Sequence, residues 1–248
     1  VYHAAASKHV DLVENNWFYA SKNNIISTFN ICESSRLNNV QKTIFISTDK
    51  AVDPINFLGL SKAVGEKITK FYSKYNDNTK FSVVRFGNVV GSSGSLLDAI
   101  KHQLKISDII NITDKKMTRY FMTISDAANL VLISTKISKN GDCHVLKMGE
   151  PVKIIDIISS IVSENSSQID GINRDIKINV IGMRPGEKLH EKLYDKEKIQ
   201  QTENKFILNE NKPIKNVNID MKSFLNQLDE PDQDKEMFKN KLLNFINN

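Results

Sequence analysis

The chain has 248 residues, 40% of them apolar and 25% charged, with 34 lysines and arginines against 29 aspartates and glutamates. That length supports one large domain or two small ones with a real core, and the composition excludes a disordered or fibrous chain. No apolar run approaches about 18 residues and no basic stripe is interleaved with aromatics, so neither a membrane span within this chain nor nucleic-acid binding is expected; the small positive excess suits an anionic small molecule.

In chain order the apolar spacing predicts alternating strands and helices, the pattern of a parallel sheet. Val1 to Ala5 reads as the end of a strand, so the chain is expected to open inside a domain, with no signal peptide. Helical spacing runs from Asn15 to Leu37 through Trp17, Ala20, Asn24, Ser27 and Ile31. A strand follows over Thr43–Thr48, then a helix over Ser61–Tyr75 and a strand over Phe81–Phe86 closed by Gly87. The loop Gly91-Ser92-Ser93-Gly94-Ser95 ends in a serine able to cap a helix over 96–105. A helix over Thr123–Ile137 opens at Thr123 or Ser125 with Asp126 in its first turn. Further on come a strand over Cys143–Met148, a helix over Ile154–Val162, a strand over Ile176–Ile181, a break at Pro185-Gly186 and a helix over Glu187–Tyr194. From about residue 209 the chain is polar, and its last amphipathic piece, Met237–Ile246, is able to dock as a helix. Cys32 and Cys143 fall in apolar contexts, as buried free thiols of a reducing compartment would.

The chemistry concentrates at Ser47-Thr48-Asp49-Lys50-Ala51, followed by Pro54-Ile55-Asn56-Phe57-Leu58-Gly59-Leu60-Ser61-Lys62. The apolar run Ile44-Phe45-Ile46 delivers a carboxyl and an amine side by side at a strand's carboxyl end, where open α/β sheets bind ligands. Pro54 keeps the next segment extended. Alone, the Asp49-Lys50 dipeptide is most often a solvated pair; held in a cleft it is an acid and a base. His3 reads as a strand-end histidine, and His9 and His190 have no partners at metal-ligand spacing, so no metal site is expected.

These blocks resemble the nucleotide-sugar 4,6-dehydratases of the extended short-chain dehydrogenase/reductase superfamily, in the UDP-N-acetylglucosamine branch of polysaccharide, flagellin-glycan and capsule biosynthesis. The match runs through His3-Ala4-Ala5-Ala6-Ser7-Lys8-His9-Val10, Asn23-Asn24, the Ser47–Ala51 and Pro54–Lys62 stretches and Val84-Arg85-Phe86-Gly87-Asn88-Val89. It continues through the Gly91–Ser95 loop, Met117-Thr118-Arg119-Tyr120-Phe121-Met122 and Met183-Arg184-Pro185-Gly186-Glu187-Lys188-Leu189. The resemblance implies an incomplete Rossmann-like parallel sheet with a smaller C-terminal substrate-binding part. It assigns 1–150 to the later part of the dinucleotide domain (89–122 serving the substrate side), 151–208 to substrate binding, and 209–248 to a polar tail. It implies oxidation at C4 of the sugar, loss of water across C5 and C6, and reduction at C6, with NAD or NADP tightly held and recycled. Asp49 would protonate the departing C6 hydroxyl, Lys50 would take the C5 proton and so must first shed its own, and Lys62 would hold the nicotinamide ribose. Ala4, Ala5, Asn24 and Phe86 would line the cofactor; Lys8, Asn88, Arg119, Arg184 and Glu187 would face a UDP-sugar, arginine suiting bidentate phosphate contacts. A cytoplasmic homo-oligomer is implied, and a longer parent protein is compatible with membrane attachment.

Two departures stand out. The superfamily's tyrosine four residues before the lysine is Leu58 here, leaving Thr48 or Asp49 as acceptor of the C4 hydroxyl proton. No Gly-x-Gly-x-x-Gly occurs, so the pyrophosphate loop is expected outside this segment, and dinucleotide binding by this segment alone is expected to be weak. The alternatives are a non-catalytic sugar-nucleotide-binding relative, a dehydratase that also inverts C5, and a UDP-sugar 4-epimerase, which the elimination pair argues against.

Overall fold

The computed structural model describes residues 1–74, 78–165, 176–210, 220–228 and 234–247. In chain order its elements are β1 (Tyr2–His3), α1 (Val10–Asn15), α2 (Trp17–Leu37), β2 (Lys42–Thr48), α3 (Phe57–Tyr72), β3 (Lys80–Phe86), β4 (Asn88–Val90), α4 (Leu96–Ile106), β5 (Ile109–Ile112), β6 (Thr118–Arg119), β7 (Phe121–Thr123) and α5 (Ile124–Ile137). They continue with β8 (Cys143–Leu146), β9 (Val152–Lys153), α6 (Ile154–Asn165), β10 (Lys177–Val180), β11 (Ile199–Gln201), β12 (Ile207–Glu210), α7 (Met221–Gln227) and α8 (Lys235–Asn247). They form two compact units: Val1–Phe86 with Asn129–Lys147 and Lys192–Asn248, and Gly87–Ala128 with Met148–Glu191.

The first unit is a six-stranded sheet in the order β1-β2-β3-β8-β12-β11, parallel from β1 to β8 and antiparallel at β12 and β11. β2 and β3 carry Ile44, Phe45, Phe81, Val83 and Val84, all buried, as strands covered on both faces must be. α3 approaches β2 closely enough that a Cβ on Gly65 would stand 2.5 Å from the Phe45 ring. The other side of α3 joins the main apolar cluster, in which Phe57, Leu60, Val64 and Ile68 meet Val13 and Ile25 of α1 and α2 and Phe224, Phe238 and Phe245 of α7 and α8. At about 25 cal/mol per Å² of apolar area removed from water, each of these phenylalanines stabilises the fold by roughly 2–3 kcal/mol.

The second unit is built on three short strand pairs, β4–β7 and β5–β10 parallel and β6–β9 antiparallel. Its core gathers Ile100, Ile110, Met117, Ile154 and Ile158. Ser95 caps α4 in a reciprocal box with Asp98, and Thr123 takes the Asp126 backbone N–H at 3.0 Å as α5 begins.

Three expectations from the sequence require correction. The helix placed at Ser61 starts at Phe57, because the Asn56 carboxamide accepts the Gly59 N–H at 2.7 Å and caps it; the expected end, Tyr75, lies outside the described residues. The long first helix is present as α2, Trp17–Leu37, with the short α1 ahead of it. No helix forms over Glu187–Tyr194: the Leu189 carbonyl accepts from the Thr118 N–H and the Arg119 guanidinium, so this backbone is bound crosswise to β6 rather than to its own next turn. The polar tail is not uniform either. Asn209 and Glu210 belong to β12, and α7 and α8 bury five apolar side chains in the first unit's core. The two units interleave in sequence, because the chain returns to the sheet over Asn129–Lys147 and again from Lys192, adding β8 and then β12 and β11.

Candidate active site

β2 ends at Thr48, paired in register with Phe86 at the end of β3, and a 3-10 turn over Asp49–Ala51 follows at once. Asp49 is 0% exposed. Its Oδ1 accepts from the Thr48 hydroxyl at 2.8 Å and from the Lys50 ammonium at 3.0 Å, while Oδ2 is buried with no hydrogen-bond partner. Thr48 Oγ1 in turn takes the Lys50 backbone N–H at 3.4 Å, so one hydroxyl orients both neighbours. A buried carboxylate oxygen without a donor costs free energy on the order of 1–3 kcal/mol, and a ligand hydroxyl would relieve it. The turn is held from the α3 side: a Cβ on Gly59 would lie 2.2 Å from the Lys50 carbonyl oxygen. Only glycine lets the first turn of α3 press on the Asp49-Lys50 backbone.

Lys62 stands in the second turn of α3, 8% exposed. Its Nζ donates to the Ile46 carbonyl at 2.9 Å and lies 4.6 Å above the centre of the Phe45 ring. An ammonium has three N–H groups, so two have no protein acceptor among the described residues. Burial pushes its pKa down to about 8, against an opposing pull from Glu66. Leu58, at the tyrosine position, is buried in the apolar cluster and carries no polar group. Asn24 is a brace: Oδ1 takes the Ser7 N–H at 2.7 Å, and Nδ2 donates to the Ser7 carbonyl and the Ser61 hydroxyl, each at 3.1 Å. It thereby fixes the segment after β1, where Ala4, Ala5 and Lys8 are exposed, relative to α3. Phe86 is half-buried. The first unit thus brings Ala4, Ala5, Asn24, Thr48, Asp49, Lys50, Lys62 and Phe86 to the carboxyl side of one sheet and the helix on it.

The second unit holds four residues that the resemblance assigned to the UDP-sugar, Asn88, Arg119, Arg184 and Glu187. Asn88 starts β4, its N–H on the Tyr120 carbonyl at 3.0 Å. Arg119 Nη1 donates to the Thr118 and Leu189 carbonyls at 2.7 and 3.2 Å, tying β6 to the segment ahead of His190. Arg184 is exposed, and Glu187 closes its turn by accepting the Arg184 backbone N–H at 3.0 Å rather than its guanidinium.

Sequence reasoning passed over three groups. Arg85 on β3 is fully buried, paired through Nε and Nη2 with both Glu66 carboxylate oxygens at 3.0 and 2.7 Å and through Nη1 with Glu210 at 2.9 Å. An arginine in the apolar run Val83–Phe86 and a glutamate four residues after Lys62 were the available signals for the first two; Glu210 had none, because only the fold brings it near.

The family described as "Polysaccharide biosynthesis protein" matches residues 1–212. Among relatives, the capsular polysaccharide biosynthesis protein CapD of Staphylococcus aureus is 43% identical over 199 residues, 80% of this chain and 33% of that protein. A protein named UDP-glucose 4-epimerase in Rickettsia bellii is 37% identical over 206 residues, 82% of this chain and 58% of its own length. The X-ray structure of Pen from Bacillus thuringiensis superposes with a TM-score of 0.77 at 33% identity, covering 86% of this chain and 66% of that one. The chain therefore spans a third to two thirds of the length of these proteins. With a Rossmann-like sheet in place and the motif residues at its carboxyl end, the chain belongs to the polysaccharide biosynthesis protein family.

Proposed function

We propose that this chain carries the acid–base centre of a nucleotide-sugar 4,6-dehydratase acting on UDP-N-acetylglucosamine for surface-glycan synthesis. The observation that carries the reading is the Asp49 carboxylate, with one oxygen on Thr48 and Lys50 and the other buried and unpaired. A group meant only to neutralise Lys50 would satisfy both oxygens; one awaiting a substrate hydroxyl leaves one open. The residues present also fit the ribose end of a nicotinamide cofactor, NAD or NADP, since Lys62 has two buried N–H groups to donate and Ala4 and Ala5 offer little bulk at the end of β1. When bound, that cofactor supplies hydride acceptance at C4 and hydride return at C6.

Every proton is accounted for by two side chains. Asp49, as carboxylate, accepts the proton of the C4 hydroxyl, filling the role left open by Leu58. The 4-ketone acidifies C5, whose proton passes to neutral Lys50. Asp49 then gives its proton to the C6 hydroxyl, which leaves as water as the C5–C6 double bond forms. At that point Asp49 is a carboxylate and Lys50 an ammonium, a pairing that their 3.0 Å separation supports. Lys50 returns its proton to C5 as C6 is reduced, and both groups are reset. Lys8, Asn88, Arg119, Arg184 and Glu187 are assigned to the UDP-sugar on the strength of their motifs.

A 4-epimerase is the second reading, favoured by the name of the Rickettsia relative. It needs no acid–base pair for elimination, and the adjacency of Asp49 and Lys50 supports the dehydratase instead. The test extends the segment upstream to take in a glycine-rich pyrophosphate loop, incubates it with NAD and UDP-N-acetylglucosamine, and analyses the product by mass. Loss of one water is expected. Asp49→Asn and Lys50→Ala should each lower that rate by about 10²–10⁴-fold while UDP affinity stays unchanged. An isomer of unchanged mass, or full turnover in either variant, would end the reading.

A further inference from the structure

Lys62 is the first of a line of buried charges. One turn on along α3, Glu66 takes a hydrogen bond from the Ser47 hydroxyl at 2.6 Å, next in sequence to the Ile46 carbonyl that receives Lys62. Arg85 grips both oxygens of Glu66 from β3 and reaches Glu210 on β12 with its remaining nitrogen, which also donates to the Leu193 carbonyl at 3.2 Å. Glu210 is completed by the Asp195 N–H at 2.8 Å. The order is cation, anion, cation, anion, and the four formal charges cancel only while Lys62 keeps its proton.

We infer that Glu66, Arg85 and Glu210 are positioning residues that hold the Lys62 ammonium charged and aimed along the end of β2. The inference rests on the reading of Lys62 as the cofactor's ribose ligand for its purpose, but not for its physics. Burial alone drives a lysine toward the neutral amine, which keeps only two N–H donors and becomes an acceptor. Two carboxylates against one guanidinium leave an excess negative charge in a medium of low dielectric, and Lys62 is the buried cation one helical turn away. The other groups facing it do not perform this task. His3 on β1 is neutral and would repel Lys62 if charged; Asp49 and Lys50, in the 3-10 turn packed on α3, are paired with each other. Lys70, a turn beyond Glu66, acts on the far side of that carboxylate and is half-exposed.

The test reads the charge of Lys62 directly. The 248-residue chain is labelled at its lysine side chains, the Lys62 signal is assigned by its loss in Lys62→Met, and its protonation is followed by NMR against pH. The wild-type signal should titrate near pH 8 and be charged at pH 7. Glu66→Gln, which keeps the shape and removes one negative charge, should lower the midpoint by at least one pH unit, a tenfold change in proton affinity. Glu210→Gln, remote from Lys62, should move it the same way by a smaller amount. In both variants, placed in the upstream-extended protein, NAD affinity at pH 7.5 should fall with the charged fraction of Lys62, while UDP affinity does not change. If Glu66→Gln does not fold, Glu210→Gln carries the comparison. A wild-type Lys62 already neutral at pH 7, or midpoints unmoved in the folded variants, overturns the inference. Shifted midpoints in a protein that never releases water would leave the charge row standing and remove the dehydratase.

Discussion

His3 uses one ring nitrogen and has no use for the other. Thr28 has a single hydroxyl proton, donated to the Asn24 carbonyl at 2.7 Å, so His3 Nε2 must be the donor in the 3.0 Å contact with Thr28 Oγ1. Nδ1 is then a bare acceptor, buried without a partner. Burial first, and the Lys62 charge second, lower the His3 pKa from 6.5 to about 4. Between those values the unfolded chain binds a proton that the folded chain refuses, so stability falls as pH drops from about 6.5 to about 4. Urea midpoints measured across that window should decline, and His3→Gln should flatten the decline. Lys62 works in the alkaline range with the same sign: its folded pKa is about 8 against 10.5, so the cost of burying its charge is relieved as pH rises between the two. Lys62→Met should therefore gain most at neutral pH and least near pH 10.5, by up to about 3 kcal/mol at 1.36 kcal/mol per pH unit. The Asp49-Lys50 pair was legible in the sequence because its members are neighbours at the end of an apolar run. The open oxygen of Asp49 and the bare nitrogen of His3 were not, since the first depends on which donors the fold keeps away from Asp49 and the second on where the distant Thr28 hydroxyl sends its proton.

Among the elements, α3 carries the most information. Gly59 and Gly65 are the two points where it touches the Lys50 carbonyl and the Phe45 ring. Gly59→Ala should push the helix off the 3-10 turn, costing on the order of 1–3 kcal/mol and lowering turnover without changing UDP affinity, as chemical denaturation and steady-state kinetics would show. Helical periodicity revealed most of α3, yet Pro54 and the extended run after it hid its start at Asn56. The expected helix over Glu187–Tyr194 had suitable spacing, but its Leu189 carbonyl is claimed by Thr118 and Arg119, a tertiary claim that periodicity does not record. α8 was anticipated; its seat was not. Lys235 reaches Glu14 at 3.2 Å near its start, Lys67 caps the Phe245 carbonyl at 2.6 Å near its end, and Phe238 packs with Trp17, Phe18 and Phe57. Phe238→Ala should cost about 3–5 kcal/mol in denaturant titrations, the range for emptying a fully buried aromatic site.

At the scale of the molecule, the alternation of strand and helix announced a parallel sheet, and the motifs marked its carboxyl edge. The division into units was hidden, because a sequence read in order does not show that the chain leaves the sheet at Phe86, returns over Asn129–Lys147 and returns again from Lys192. The antiparallel strand β12, inserted between β8 and β11, brings Glu210 to Arg85 across 125 positions of sequence. A chain ended after Glu210 would keep that contact and lose α7 and α8. It should expose Phe57, Leu60 and Val64, bind a hydrophobic dye, and elute from a sizing column as an associated species.

That return path has a temporal side. Over this stretch a ribosome delivers the strands β1 to β3 ahead of the second unit, whose two pieces flank Asn129–Lys147, and only afterwards Glu210, the second acid on Arg85, and the helices α7 and α8 that cover α3. During the interval the nascent protein carries an unfinished sheet border and an oily helix flank, the surfaces that chaperones bind. Slow translation between codons 87 and 191 would prolong that exposure, so the yield of active protein should depend on the pace of synthesis there more than on the pace anywhere else.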